Sequence, residues 1–149
     1  MPDTTSPTLF VEFGQPEHGW LPVTFKAGEF ELAFDASDVP ANPLDLLCEA
    51  LVVVPAGGSA KVMWHLEPLV YWFVFEQHKD GVTLEITEAL SYNQPGTYLL
   101  QLTGSAQAVL RPFYKALTDF AGHKYSEPHW PALAASRLRP IGQLLRSQH

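Results

Sequence analysis

The chain has 149 residues, of which 46% are hydrophobic, 12% aromatic and 17% charged, and its formal net charge is −7. This length predicts one domain spanning residues 1–149, and so much apolar surface excludes a disordered protein, because burying it offsets the entropy of ordering the chain. The run nearest to a membrane span, Ala50 to Ala56, is far shorter than the roughly 18 residues that cross a bilayer, so no membrane partner is expected.

The charge is divided along the chain. Residues 1–103 contain fourteen Asp and Glu and three Lys, a balance of −11, whereas residues 104–149 contain six Lys and Arg and two acids, a balance of +4. The acidic part of the chain, residues 1–103, repels phosphate backbones and attracts basic proteins. The charge therefore predicts a basic protein partner and no nucleic-acid partner. The alternative is that the net charge only keeps the protein from aggregating.

Cysteine usage and the N-terminus predict the compartment. Cys48 is the single cysteine, which excludes an internal disulfide and fits a reducing compartment. Met1 to Pro7 has neither a basic nor an apolar region of the secretory type. We therefore expect a cytoplasmic protein with a loose tail over residues 1–8.

The first ordered elements are predicted to be strands. Thr8 to Phe13 alternates apolar and polar residues with the period of two that is typical of a strand with one buried face. Trp20 to Lys26 and Glu29 to Asp35 are joined by Ala27-Gly28, which predicts a hairpin.

A helix and then a meander are predicted next. Asn42-Pro43 is typical of a helix start, and Leu44 to Val54 has helical apolar spacing that places Cys48 on the buried side. Four strands follow, and their predicted ranges are Ser59 to Leu66, Leu69 to Gln77, Val82 to Glu88 and Thr97 to Thr103.

The period becomes helical again from Ser105. The apolar positions predict a helix to about Phe120, which either kinks near Pro112 or has Pro112 as its first residue. Residues 123–149 are expected to contribute short helical pieces interrupted by Pro140. The fold class is therefore α+β: a mainly antiparallel sheet of about six or seven strands, packed with two helices and a partly helical C-terminal segment.

His65 and Glu67 are a candidate catalytic pair. Strand alternation places them on one side and within mutual reach, as a general base and its orienting group require. The H-x-E triplet of zinc deaminases needs a later P-C-x-x-C motif, which this chain lacks. A surface pair without catalytic function is the competing interpretation.

His123, Glu127 and His129 are candidate metal ligands, because two imidazoles and a carboxylate fall within seven residues. Their spacing is not that of a zinc-protease helix, and a loop that docks Tyr125 and Trp130 onto the body is the competing interpretation. Glycine-rich phosphate-binding motifs and the G-x-S-x-G motif are missing from the sequence, and we expect no cofactor.

The strand from Leu69 to Phe75 is apolar on both faces, which predicts cover on both sides. The two central helices are available as covers, so burial within the domain is the favoured expectation. An aromatic patch that stays exposed, including Trp72, would instead mark a partner site.

Three segments, His18 to Val23, Asp38 to Leu44 and Trp64 to Pro68, resemble small uncharacterised bacterial proteins, some of which look like immunity proteins of polymorphic toxin systems. The resemblance spans about residues 18–90 and rests on Gly, Pro and Trp. It implies a protein that neutralises a partner by binding it, and it transfers no functional residue.

Three functional hypotheses follow. The leading one is a non-enzymatic domain that binds a basic protein through an acidic sheet face. The alternatives are a small enzyme that uses His65 with Glu67, and a structural homodimer that pairs sheets through the doubly apolar strand. The predicted binding residues are Glu29, Glu31, Asp35, Glu67, Glu85 and Trp72.

Overall fold

The structure, a computed structural model, describes residues 8–91, 93–123 and 129–148. Within these ranges seven strands form one antiparallel sheet in chain order, and three helices pack with it, which confirms the predicted α+β class. The strands are β1 (Leu9–Phe13), β2 (Trp20–Ala27), β3 (Phe30–Ser37), β4 (Ser59–His65), β5 (Val70–His78), β6 (Gly81–Ala89) and β7 (Thr97–Gly104). The helices are α1 (Pro43–Val53), α2 (Ala106–Gly122) and α3 (Ala135–Arg146).

Local sequence signals explain most of the element boundaries. Asn42 caps α1, because its side chain accepts a hydrogen bond of 3.0 Å from the backbone N–H of Leu44, and Pro43 is the first helical residue, as predicted. The β2–β3 turn is Gly28-Glu29, one residue later than predicted, because Ala27 pairs with Phe30. Gly28 has a φ of 61°, which glycine adopts without strain.

Two prolines lie inside helices, contrary to the predicted breaks. Pro112 is within α2, which rules out Pro112 as the first helical residue, and Pro140 is within α3, so one helix replaces the predicted short pieces. A helical proline leaves the carbonyl four residues earlier without its N–H donor. Here those carbonyls belong to Ala108 and Ser136, and both are exposed residues.

The sheet bends sharply between β3 and β4. In the described part of the chain these strands share one pair, Ser37 with His65. The Phe25 and Phe73 rings, which lie three strands apart, are 5.5 Å from centroid to centroid, whereas a flat sheet would separate such positions by about 14 Å. The sheet therefore consists of an N-terminal half-sheet (β1–β3) and a C-terminal half-sheet (β4–β7), whose inner faces meet.

The helices form one layer on the inner face. Each helix contacts the other two, and Phe113 of α2 packs against Phe25 and Phe75 of the sheet at 6.0 and 5.1 Å. Arg137 of α3 pairs with Asp45 of α1. α3 therefore packs on the helical side of the sheet. Within the described ranges no helix is both long and apolar enough to cross a membrane.

The expected burial of both faces of β5 is complete on one face only. Tyr71, Phe73 and Phe75 point inward and are buried. On the outer face Val70 is buried, whereas Trp72 and Val74 are half-buried, because α1 and α2 both lie on the inner side. Trp72 and Val74 are thus apolar side chains on the outer face that none of the three described helices covers.

Candidate functional site

The outer face of the C-terminal half-sheet carries a row of large side chains. The register places Met63 beside Trp72, Trp72 beside Thr87, and Thr87 beside Tyr98, so this row crosses all four strands. We call these four residues the aromatic band. Trp72 and Met63 are half-buried, and Tyr98 is 58% exposed. Tryptophan and tyrosine are the residue types most enriched at the energetic centre of protein interfaces.

Charged and polar side chains lie on one side of the band, and on its other side Val70 and Ala89 are buried. The next row contains Lys61, Val74, Glu85 and Gln101, and the row after it contains Ser59, Glu76, Thr83 and Thr103. Glu76 pairs with His78 at 3.2 Å, and the hydroxyls of Thr83 and Thr103 hydrogen-bond at 3.1 Å. An aromatic centre with a polar rim is the usual anatomy of a protein interface.

The remaining predicted binding residues lie elsewhere. Glu31 and Asp35 are exposed on the outer face of the N-terminal half-sheet, where the register sets Glu31 opposite Lys26. Glu29 is in the β2–β3 turn, and Glu67 follows β4 at the opposite end of the strands. The bend therefore divides the predicted acidic face, and it leaves Glu85 and Trp72 together on the C-terminal half-sheet.

The candidate catalytic pair does not share a strand. β4 ends at His65, and Glu67 lies beyond it with a φ of 61° and a cis bond to Pro68, so the alternation does not extend to Glu67. The His65 Nδ1–H donates to the carbonyl of Val39 at 3.0 Å. Neither residue lines the cavity between β1 and α2 or the smaller cavity beside Trp130. The geometry therefore gives the enzyme hypothesis no support.

A histidine contact joins the C-terminal segment to the sheet. Glu17 and Trp20 exchange backbone hydrogen bonds of 2.9 Å around a turn in which His18 and Gly19 have φ angles of 50° and 85°. The backbone N–H of His18 donates to His129 Nδ1 at 3.0 Å, and that of Gly19 donates to the His129 carbonyl at 2.8 Å.

This contact docks the segment that contains the predicted metal ligands. Trp130 is 2% exposed, as the docking interpretation predicted, whereas Tyr125 and Glu127 lie outside the described residues. Over residues 8–91, 93–123 and 129–148, no group of three or more His, Cys, Asp or Glu side chains is arranged to hold a metal ion. His129 is therefore part of a structural contact with the β1–β2 loop.

Two buried groups have raised pKa values. Burial raises the pKa of the Cys48 thiol to about 11, which matches its predicted place in the core. Burial, together with a hydrogen bond to Glu88, raises the pKa of Tyr71 to about 12. Both groups are therefore neutral at physiological pH.

Comparison of the chain with protein-family models, with curated proteins and with solved structures gave no match.

Sequence reasoning identified Trp72 but missed its neighbours in the band. Met63 and Tyr98 are 35 residues apart and lie at the two ends of the band, where they are aligned only by the register of four strands, which alternation does not specify. The sequence did contain a signal for Met63: Lys61, Met63 and His65 alternate with the buried Val62 and Trp64, which places Met63 on the outer face of β4.

Proposed function

We propose that this protein is a non-enzymatic domain that binds a basic protein through the outer face of its C-terminal half-sheet. The single observation that carries the proposal is the aromatic band, whose Trp72 and Tyr98 remain accessible because all three helices pack on the inner face. Partly exposed aromatic side chains supply a large contact area on binding and lose little conformational entropy.

The charges favour a basic partner. Glu76 and Glu85 outnumber Lys61 in the rows beside the band, and the whole chain has a formal net charge of −7. Rim carboxylates of this kind mainly raise the association rate and the specificity, whereas the aromatic centre sets the dissociation rate. Binding should therefore weaken as the salt concentration rises.

An immunity-type role is the finer proposal. The segments around His18, Asp38 and Trp64 resemble proteins of that kind, and neutralising a basic toxin domain requires tight binding rather than catalysis. A protein encoded beside this one is then the first partner to examine.

The binding test uses purified products of the adjacent genes and a surface-based kinetic assay at low and moderate salt. We expect Trp72→Ala or Tyr98→Ala to weaken binding at least about tenfold, mainly through faster dissociation, as for hot-spot residues. The pair Glu76→Lys and Glu85→Lys should slow association and reduce its salt dependence. Glu49→Lys is the matched control, because Glu49 is exposed on α1, on the helical side.

Two outcomes would count against the proposal. One is a bound partner whose affinity is unchanged by Trp72→Ala and by Tyr98→Ala. The other is a dimer in sedimentation analysis that Tyr98→Ala dissociates, because the band would then join two copies of this chain, as in the homodimer hypothesis.

A further inference from the structure

A groove of about 880 Å³ runs between β1 and α2. One wall is formed by residues 8–13, and the other is formed by α2 residues from Gln107 to Gly122. The groove lies on the far side of the N-terminal half-sheet from the bend, so it is separate from the aromatic band. Its volume is within the range of well-formed ligand sites, about 300–1,000 Å³.

The groove follows the free edge of β1. Alternate residues of a strand point to opposite faces, yet every residue from Thr8 to Phe13 lines the groove, so the groove runs along the edge itself. Among the described strands, β1 pairs with β2 alone. One row of β1 backbone N–H and C=O groups is therefore available to a further strand.

The α2 wall presents charges at a regular spacing. Arg111, Lys115 and Asp119 are exposed, line the groove and follow one another at intervals of four residues. Positions four apart on a helix are about 6 Å apart along its axis, and same-side residues of a strand are about 6.8 Å apart. Within the part of the chain that the structure describes, none of the three has an ion-pair partner.

We infer that the groove binds an extended segment of a protein partner, which adds a strand to β1. Its backbone bonds to the free β1 edge, and its inward side chains face α2. Charge complementarity then selects an acidic residue opposite Arg111, an acidic residue opposite Lys115 and a basic residue opposite Asp119. The recognised pattern is acid-x-acid-x-base, with the order read from the α2 N-terminal end.

The test uses two fluorescein-labelled nine-residue peptides and measures fluorescence anisotropy. The first has glutamate at positions 3 and 5 and lysine at position 7, and the second has these charges reversed, with valine and threonine at the other positions in both. Each pattern is made in both chain directions, because the groove fixes the charge order and not the strand direction. We expect the acid-acid-base peptide to bind about tenfold tighter, a ratio within the range expected from three exposed ion pairs.

Variants of the protein assign the effect to the groove. The double variant Arg111→Glu with Lys115→Glu should reverse the preference between the two peptides. Arg139→Glu is the control, because Arg139 is exposed on α3 and does not line the groove. Methylating alternate peptide amides should abolish binding, because strand addition depends on backbone hydrogen bonds.

Equal binding of the two peptides, binding unaffected by amide methylation, or an unchanged preference in the double variant would each overturn the inference. A self-associating protein whose β1 amides are protected from hydrogen exchange without peptide would also overturn it, because a second copy would then occupy the edge. None of these results depends on the aromatic band, so this inference and the proposed function can fail separately.

Discussion

Two tryptophans show how burial at single residues sets the energetics of this fold. Trp130 follows the His129 contact and is 2% exposed, whereas Trp20 follows the His18 turn and is 37% exposed. The same side chain therefore fills the core at one position and lies half in solvent at the other. Replacing Trp130 by alanine should therefore change the free energy of unfolding far more than replacing Trp20.

We expect Trp130→Ala to lower the free energy of unfolding by about 3–5 kcal/mol, because it leaves a large cavity. Trp20→Ala should change it by less than about 1 kcal/mol. Urea unfolding followed by circular dichroism measures both values. Similar losses for the two variants would show that the C-terminal segment is not docked as described.

The thiol of Cys48 gives a second prediction at this scale. Burial raises its pKa from 9.0 to about 11, so at pH 8 the folded protein holds about a hundredfold less thiolate than an unfolded chain. Reaction with Ellman's reagent at pH 8 should be slower than in urea by at least that factor. Rapid labelling of the folded protein would contradict the buried position of Cys48.

Contacts between individual residues were the least predictable feature of the structure. His65 and Glu67 are two residues apart in sequence, and alternation alone placed them on one side, but the strand ends between them. His18 and His129 are 111 residues apart and in direct contact. Local periodicity describes a single element, and neither a strand end nor a contact between distant segments follows from it.

At the scale of elements, the turn between β5 and β6 depends on a glycine. Gly81 has a φ of 133°, and a Cβ atom added there would lie 2.4 Å from the Gly104 carbonyl oxygen of β7. Gly122, at the end of α2, has a negative φ and no atom within 4 Å of such a Cβ. The two positions form a matched pair.

Gly81→Ala should therefore destabilise the protein by about 2–4 kcal/mol, through backbone strain and the clash with β7. Gly122→Ala should be neutral or stabilising by up to about 1 kcal/mol, because alanine favours the helix. Thermal unfolding of both variants tests this difference. If Gly81→Ala left the thermal stability unchanged, β7 would have to move away from β6 at this position.

The elements themselves were largely predictable from the sequence. The Asn42-Pro43 start of α1 and the period-two runs of the meander have local physical causes, so they appear in the sequence directly. The continuity of α2 through Pro112 was not predictable, because it depends on whether Ala108, whose carbonyl loses its N–H donor, lies in the core or at the surface. Only the assembled fold shows that Ala108 is an exposed residue.

At the scale of the whole molecule, the bend between β3 and β4 determines which surfaces are available. It brings Phe25 and Phe73 together inside and separates the outer faces of the two half-sheets. One charged face was expected from composition, yet the acids are divided between two faces and two turns. The bend results from a single pair, Ser37 with His65, which no sequence pattern marks.

The central claim is that the aromatic band is the protein-binding surface, and hydroxyl-radical footprinting of the complex with its partner tests it most directly. Met63, Trp72 and Tyr98 are oxidised readily when accessible, and Trp20, which is exposed on the N-terminal half-sheet and lies outside the groove, serves as the internal control. The account predicts that oxidation of the band falls severalfold on binding while oxidation of Trp20 is unchanged. Protection of Trp20 with an unprotected band would contradict it.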